Sequence, residues 1–339
     1  MPIRRAVPVC YDSRVSHPSD RAVSPSSPSA VPERAPSTAD RTLVPTECRS
    51  AIEALVTLLG CETKAANLAI VRSRLRELGA EALPSLDRVR AAGGGGHAAE
   101  VAREIRGRLL DAEWARWAAG PDVDLESGAL LIDRFGDPLS DPAAVRRRLD
   151  DLASELGRRL GRRPTVDAAI PILTSYLFDD VGLRGNTDDY EDPDNSYLSR
   201  VLERKLGIPV SLSVVLLLIA KRLRLPIVGI GMPGHFIVRY GARTSGPYLD
   251  AFGGGKVLTG KACADWLCAS GFAFDPRMLQ PVGSRYIVAR MLRNLIAVFT
   301  KRGAASDAET LGRYLKAAAA SPQPHAPSSG SAAEESGAA

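Results

Sequence analysis

The hydrophobic pattern changes its period along the chain. Between residues 47 and 119 apolar side chains recur at helical spacing: Ile52, Leu55, Leu58 and Leu59, then Leu68, Val71, Leu75 and Leu78, then Val101, Ile105, Leu109 and Leu110. Positions three and four apart share one face of an α-helix, so each run predicts an amphipathic helix with one buried stripe. The stretch Gly79-Ala-Glu-Ala-Leu-Pro-Ser-Leu-Asp87 reads like the second helix of a HEAT-type pair. Four glycines, Gly93 to Gly96, lack the Lys-Ser/Thr ending of a phosphate loop and predict a connector between helices. Residues 121–202 continue helical. Ser127 to Phe135 is apolar and precedes the turn Gly136-Asp-Pro138, Ala143 to Leu160 is charged and amphipathic, and Thr165 to Phe178 is more apolar and predicted to be buried.

From Gly207 onward the pattern is different. Ser211 to Arg224 is apolar almost all round, which predicts a helix at the centre of a core. Leu225–Gly231, His235–Tyr240 and Pro247–Phe252 are short runs rich in β-branched and aromatic residues, and they predict strands. One buried helix on an antiparallel sheet is an α+β fold. Residues 285–319 predict a helical pair, with Ile287, Met291, Leu295, Val298 and Phe299 on one face and Leu311 and Leu315 on the next. The flanks, rich in Ser, Pro and Ala, have no period and too little apolar surface to offset the entropy of ordering them. The expected organisation is a disordered tail at 1–46, a helical HEAT-like region at 47–120, the α+β domain at 121–283, a helical pair at 284–320 and a second disordered tail at 321–339.

Composition narrows the functions. With 339 residues, 45% hydrophobic and 24% charged, the chain is ordinary for a globular protein, and its net charge of +5 is modest. The arginine runs at 146–148, 158–159 and 162–163 fall on predicted helices and read as solvated faces. Aromatics do not interleave with them, so no nucleic-acid partner is expected. The apolar run Val214–Ala220 is far shorter than the ~20 residues a bilayer needs, and Arg4-Arg5 is followed by no apolar segment. No membrane partner is expected, and the location is expected to be cytoplasmic. Cys10, Cys48, Cys61, Cys263 and Cys268 are odd in number and form no disulfide framework, so all five are expected as reduced thiols. No cofactor is expected. The acidic stretch from Asn186 to Asn195 sets Asp188, Asp192 and Asp194 close together but lacks the central glycine and distal glutamate of a calcium loop. It predicts a turn-rich loop without metal, with Asn195 or Ser196 capping a helix from Tyr197 to Lys205.

The candidate chemistry lies in three residues. Ser211 opens the apolar helix, His235 starts a strand, and Asp250 lies on the next strand. This is the order and spacing of a Cys-His-Asp hydrolase or acyltransferase, with serine in the cysteine's position. Free amides and the positive end of the dipole at a helix start acidify a thiol; an alcohol gains far less and needs a well-placed base. A hairpin turning through Gly241–Gly246 sets residues 235 and 250 nearly opposite each other. Taken singly, each residue has a plainer reading: Ser211 as a helix cap, His235 as a packed side chain, Asp250 as a turn residue before Gly253-Gly-Gly255.

Longer motifs accompany the three: Leu177-Phe-Asp-Asp-Val-Gly-Leu-Arg-Gly-Asn186, Asn195-Ser-Tyr-Leu198, Val201-Leu-Glu-Arg204, Gly207-Ile-Pro-Val-Ser-Leu212, Pro233-Gly-His-Phe236, Leu249-Asp-Ala-Phe252 and Ala289-Arg-Met-Leu-Arg-Asn-Leu295. Together they resemble the bacterial SirB-type proteins of the transglutaminase-like superfamily, which shares the papain-like fold. The resemblance covers roughly residues 122–300. It implies a cysteine-protease-like core with Ser211 in the nucleophile's place, His235 in the base's and Asp250 in the orienter's. It also implies a tetratricopeptide-like C-terminal part, here cut to about one helical pair. Asn186, Tyr190, Asn195 and Phe236 are the expected contacts in the cleft. The expected function is a non-catalytic binding or regulatory module with a peptide or protein partner. The alternative is an amide or ester hydrolase or acyltransferase using Ser211, His235 and Asp250, with amides at the helix start as oxyanion donors.

Overall fold

The computed structural model describes residues 46–93, 96–162, 164–241 and 246–320. Helices α1 (Thr46–Cys61), α2 (Ala65–Leu78), α3 (Leu83–Ala91) and α4 (Gly96–Ala119) come first. They enclose a core of their own, built from Ile52, Val56, Leu59, Leu75, Leu86, Val101 and Ile105 among others. The predicted stripes are the ones buried, except that Leu58 lies beside its stripe and is exposed. Helix α2 ends at Gly79, whose φ of +59° is the left-handed conformation that a side chain disfavours. Helix α4 joins two cores: Val101 and Ile105 belong to the first, whereas Leu110 and Trp114 belong to the second. The tails expected at 1–46 and 321–339 lie outside the described residues, apart from Thr46 at the start of α1.

Helices α5 (Leu125–Gly136), α6 (Pro142–Leu160) and α7 (Val166–Thr174) each start on a side-chain cap. Asp124, Asp141 and Thr165 accept from the backbone amides of Ser127, Ala143 and Ala168. Helix α7 runs on through a wider turn at Ser175–Asp180. Strand β1 (Arg184–Gly185), helix α8 (Leu198–Arg204) and strand β2 (Leu206–Gly207) follow, with β1 and β2 paired in parallel. The cap of α8 differs from expectation. Neither Asn195 nor Ser196 supplies it; the buried Asp133 of α5 accepts from the Ser199 amide at 2.8 Å.

Helix α9 (Pro209–Arg222) is the central element, and every residue from Pro209 to Ala220 is buried. It starts two residues before the expected Ser211, because a proline in the first turn lacks only an N–H that would have no helical partner there. Strands β3 (Ile227–Ile230), β4 (Ile237–Tyr240), β5 (Tyr248–Asp250) and β6 (Lys256–Leu258), helix α10 (Gly260–Ala269), strand β7 (Pro281–Val282) and helices α11 (Ser284–Lys301) and α12 (Ala305–Ala320) complete the described chain. The sheet has the order β6-β5-β4-β3-β7, with every neighbouring pair antiparallel.

Alternation along β4 assigns the two faces of the sheet. Val238 and Tyr240 join the core that contains α9, while Ile237 packs with Cys263 and Leu267 of α10. The sheet is therefore covered on both faces. The pattern reading had no counterpart for α10, β6 or β7. The strands are too short to show a period, and α10 is marked mainly by its cap, Thr259, which accepts from the Ala262 amide at 3.1 Å. Helices α11 and α12 pack into the main core through Ile287, Met291, Leu295, Leu311 and Tyr314. Tyr314 stacks on Trp114 with ring centres 4.8 Å apart, which ties the last helix to α4. A buried helix on an antiparallel sheet, preceded by an all-helical region and followed by a helical pair, is the α+β architecture expected. Among the described residues no helix is long and apolar enough to cross a membrane.

Candidate functional site

Two of the three candidate residues meet. His235 Nε2 lies 3.0 Å from Asp250 Oδ1, with 12% of the histidine side chain and 19% of the aspartate side chain exposed. The register that joins them differs slightly from the expected one. Val238 pairs with Leu249 and Arg239 with Tyr248, so Asp250 falls opposite Ile237 rather than opposite His235. The two side chains are diagonal neighbours on one face, still within reach of each other. A tight turn before β4 presents the imidazole: Gly234 has φ +73°, and the His235 amide bonds Met232 O at 3.2 Å.

Asp250 Oδ1 also accepts from the amides of Phe252 and Gly253, both at 3.1 Å. Burial is the largest single influence on this carboxyl and pushes its pKa up. The hydrogen bond and charge of His235, with the two amides, outweigh burial together and hold the carboxyl below the ordinary aspartate value. A carboxylate on Nε2 fixes the proton on that nitrogen and leaves Nδ1 as the one open to a further partner. Around the imidazole runs a strip of rings. Trp266 of α10 lies 5.2 Å from it, Phe252 lies 6.5 Å away edge-on, and Tyr190 lies 5.9 Å beyond Phe252.

Ser211 is engaged elsewhere. Its hydroxyl is fully buried, donates to Asn195 O at 2.5 Å and accepts from the Ile208 amide at 3.0 Å. It closes the first turn of α9, and its bonds among the described residues go to Asn195 and Ile208, none to His235. Ser213, the other serine of α9, is also buried and sits 3.5 Å from Phe236 O. Cys263, on the α10 side of the sheet, offers no thiolate: burial, then the Asp250 charge, push its thiol up to about 11. Cys61 and Cys268 are free and exposed.

The four expected cleft contacts divide. Tyr190 is at the surface, 48% exposed. Phe236 is a correction: its ring is 1% exposed and belongs to the core beneath α9, because strand alternation turns it away from the face that carries His235. Asn186 and Asn195 are buried and hold the loop that carries Tyr190. Asn186 Nδ2 donates to Asn195 Oδ1 at 3.0 Å, Asn195 Nδ2 donates to Asp189 O at 2.7 Å, and the Asp189 amide donates to Asn186 Oδ1 at 3.1 Å. Three acids of this loop face cations: Asp192 pairs with Arg204, Asp194 with Arg200 and Glu191 with Lys301. Among the described residues no cluster of three or more His, Cys, Asp or Glu side chains is placed to hold a metal ion. Sequence reasoning missed Trp266 as part of the site: the Thr259 cap marks the helix that carries it, but no local signal places that helix against His235.

Residues 143–293 match the transglutaminase-like superfamily. A UPF0162 protein of Xylella fastidiosa (strain Temecula1) is 36% identical over 204 residues, covering 57% of this chain and 71% of that protein. A UPF0162 protein of Vibrio cholerae is 26% identical over 174 residues, covering 50% and 64%. Human F-box only protein 21 is 29% identical over 216 residues, covering 54% of this chain and 34% of that protein. No solved structure matches the chain. The 36% identity over 71% of the Xylella protein shows that the chain belongs to the UPF0162 family, and the match at residues 143–293 shows that it carries a transglutaminase-like domain.

Proposed function

We propose that the chain is a binding module on a transglutaminase-like framework and does no covalent chemistry. The observation that carries this reading is the Ser211 hydroxyl, buried and bonded to Asn195 O and the Ile208 amide. Among the described residues no hydrogen bond joins Ser211 to His235, whereas an activated nucleophile meets its base at about 2.6–3.2 Å or through a single water, a contact that can tighten once substrate binds. The His235–Asp250 pair opens instead onto Phe252, Trp266 and Tyr190, rings suited to an extended peptide or a protein surface. His235 Nδ1 would supply one directional hydrogen bond to that partner. The match to only 34% of human F-box only protein 21 supports a module, since the similar stretch is one portion of a longer chain there. The proposal includes the SirB-type assignment, a single tetratricopeptide-like unit formed by α11 and α12, and a cytoplasmic setting.

A second reading has one observation in its favour, the intact His235–Asp250 pair. It makes the domain an amide or ester hydrolase or acyltransferase in which the Ser211 side chain rotates away from Asn195. Fluorophosphonate labelling separates the two. The binding module stays unlabelled while folded. Labelling that Ser211→Ala and His235→Ala each abolish would establish the enzyme. On the binding side, a peptide series titrated against the His235 imidazole resonances should find ligands whose shifts disappear in Tyr190→Ala and Trp266→Ala.

A further inference from the structure

We infer that Ser211 is a positioning residue: its hydroxyl latches the 186–196 loop to the start of α9 and thereby sets where Tyr190 stands. The inference rests on the reading of the aromatic strip as the ligand surface.

The latch is a series of bonds. Ser211 Oγ donates to Asn195 O at 2.5 Å, and the Ile208 amide approaches the same oxygen at 3.4 Å. The Asn195 side chain then reaches back into the loop, donating to Asp189 O at 2.7 Å and lying 3.4 Å from Tyr190 O. Asn186 closes the other side through Asn195 Oδ1 and the Asp189 amide. The backbone of Tyr190 is thus held two links from Ser211. Its ring continues the series to Phe252 at 5.9 Å, which is edge-on to His235.

Two features separate a latch from a simple cap. A cap needs only an acceptor for the Ile208 amide. Ser211 also donates, to a backbone oxygen sixteen residues earlier, and the cap has no use for that bond. Second, Ser211, Asn186 and Asn195 are all buried, so losing the hydroxyl leaves Asn195 O with only the longer 3.4 Å approach of the Ile208 amide in a low-dielectric interior. The loop has other ties as well, the Asn186 amide on Gly207 O at 2.9 Å and the half-buried Asp192–Arg204 pair, whereas an exposed pair such as Glu191 to Lys301 holds weakly.

The test is amide hydrogen exchange on the full chain, read by segment. Ser211→Ala should speed exchange across 187–196 about ten-fold or more, the effect of losing one buried hydrogen bond, while α9 and β4 keep wild-type rates. Asn195→Ala leaves the backbone oxygen that Ser211 bonds, so it should loosen 187–191 and spare 195–196. The double variant should be no faster at 187–191 than Asn195→Ala alone, because the links act in series. A uniform rise across loop, helix and sheet in Ser211→Ala would reduce the serine to a structural cap and overturn the inference. Should Ser211→Ala not fold, Asn195→Ala decides alone: unchanged protection at 187–191 refutes the relay. None of these readings involves a ligand, so they fail or succeed independently of the binding module. If both hold, Ser211→Ala weakens peptide binding by no more than Tyr190→Ala does.

Discussion

Replacing Asp250 by asparagine removes one charge and almost no volume. In the wild type, Asp250 Oδ1 accepts from His235 Nε2 at 3.0 Å and from two backbone amides at 3.1 Å. The amide oxygen of asparagine can keep the two backbone bonds. The same oxygen can still accept from His235 Nε2, so what is lost is the charge that strengthens these bonds, and hydrogen bonds to charged groups contribute roughly 1.5–3 kcal/mol against about 1 for neutral ones. Burial of the carboxylate opposes that gain, so Asp250→Asn should cost about 0.5–2 kcal/mol at neutral pH. The pH dependence has a fixed sign. The folded pKa of Asp250 is held below its unfolded value, so its contribution is fully present above an unfolded value of about 3.9 and is lost as pH falls through the folded one. Urea unfolding of wild type and variant, followed by tryptophan fluorescence across the acid range and up to pH 7, measures this directly. The difference should shrink as pH falls through the folded pKa of Asp250. A difference equally large below both pKa values, or a variant as stable as wild type at pH 7, would refute an ionised Asp250 in the site.

Three further outcomes follow from packing and access. Ile219 is fully buried in α9, and Ile219→Ala should lower unfolding stability by about 2–5 kcal/mol, read from the urea midpoint. Gly185→Ala would bring a Cβ to 2.6 Å from the Phe252 ring and 2.7 Å from Phe252 O; it should destabilise by about 1–3 kcal/mol and shift the His235 imidazole resonances. Iodoacetamide at pH 8 should modify Cys61 and Cys268 in the folded protein and spare Cys263 until it unfolds, as peptide mapping would show.

Legibility in the sequence followed the range of the interactions. The α9 helix was plain because an apolar run needs no partner to be recognised. The His235–Asp250 meeting was legible because a hairpin links the two by a short, countable path; its register came out diagonal because turn geometry is not fixed by residue count alone. Phe236 was misassigned for a related reason. It neighbours His235 in sequence, and strand alternation sends neighbours to opposite faces. Trp266 was invisible because it comes to His235 on a helix that crosses the sheet, a contact that no local period announces. The bond from Ser211 to Asn195 O was hidden more deeply still, since a backbone oxygen carries no sequence signal at all.

That last bond also bears on why the position holds an alcohol. At a helix start a thiol tends to become a thiolate, which accepts hydrogen bonds and donates none. An alcohol keeps its proton, and here that proton goes to Asn195 O. A thiolate in the same place would face the lone pairs of a carbonyl oxygen at 2.5 Å, a contact too short for sulfur and repulsive for an anion. A thiolate in the place of the Ser211 hydroxyl and the bond to Asn195 O therefore exclude each other. Ser211→Cys makes the exclusion measurable. Exchange at 187–196 should rise at least as much as in Ser211→Ala, because sulfur is larger and a weaker donor. Alkylation of the new thiol should depend on loop opening, so Asn195→Ala in the same background should not slow it. Wild-type loop protection together with alkylation at the rate of a free, exposed thiol would show that the loop and the chemistry at 211 are independent.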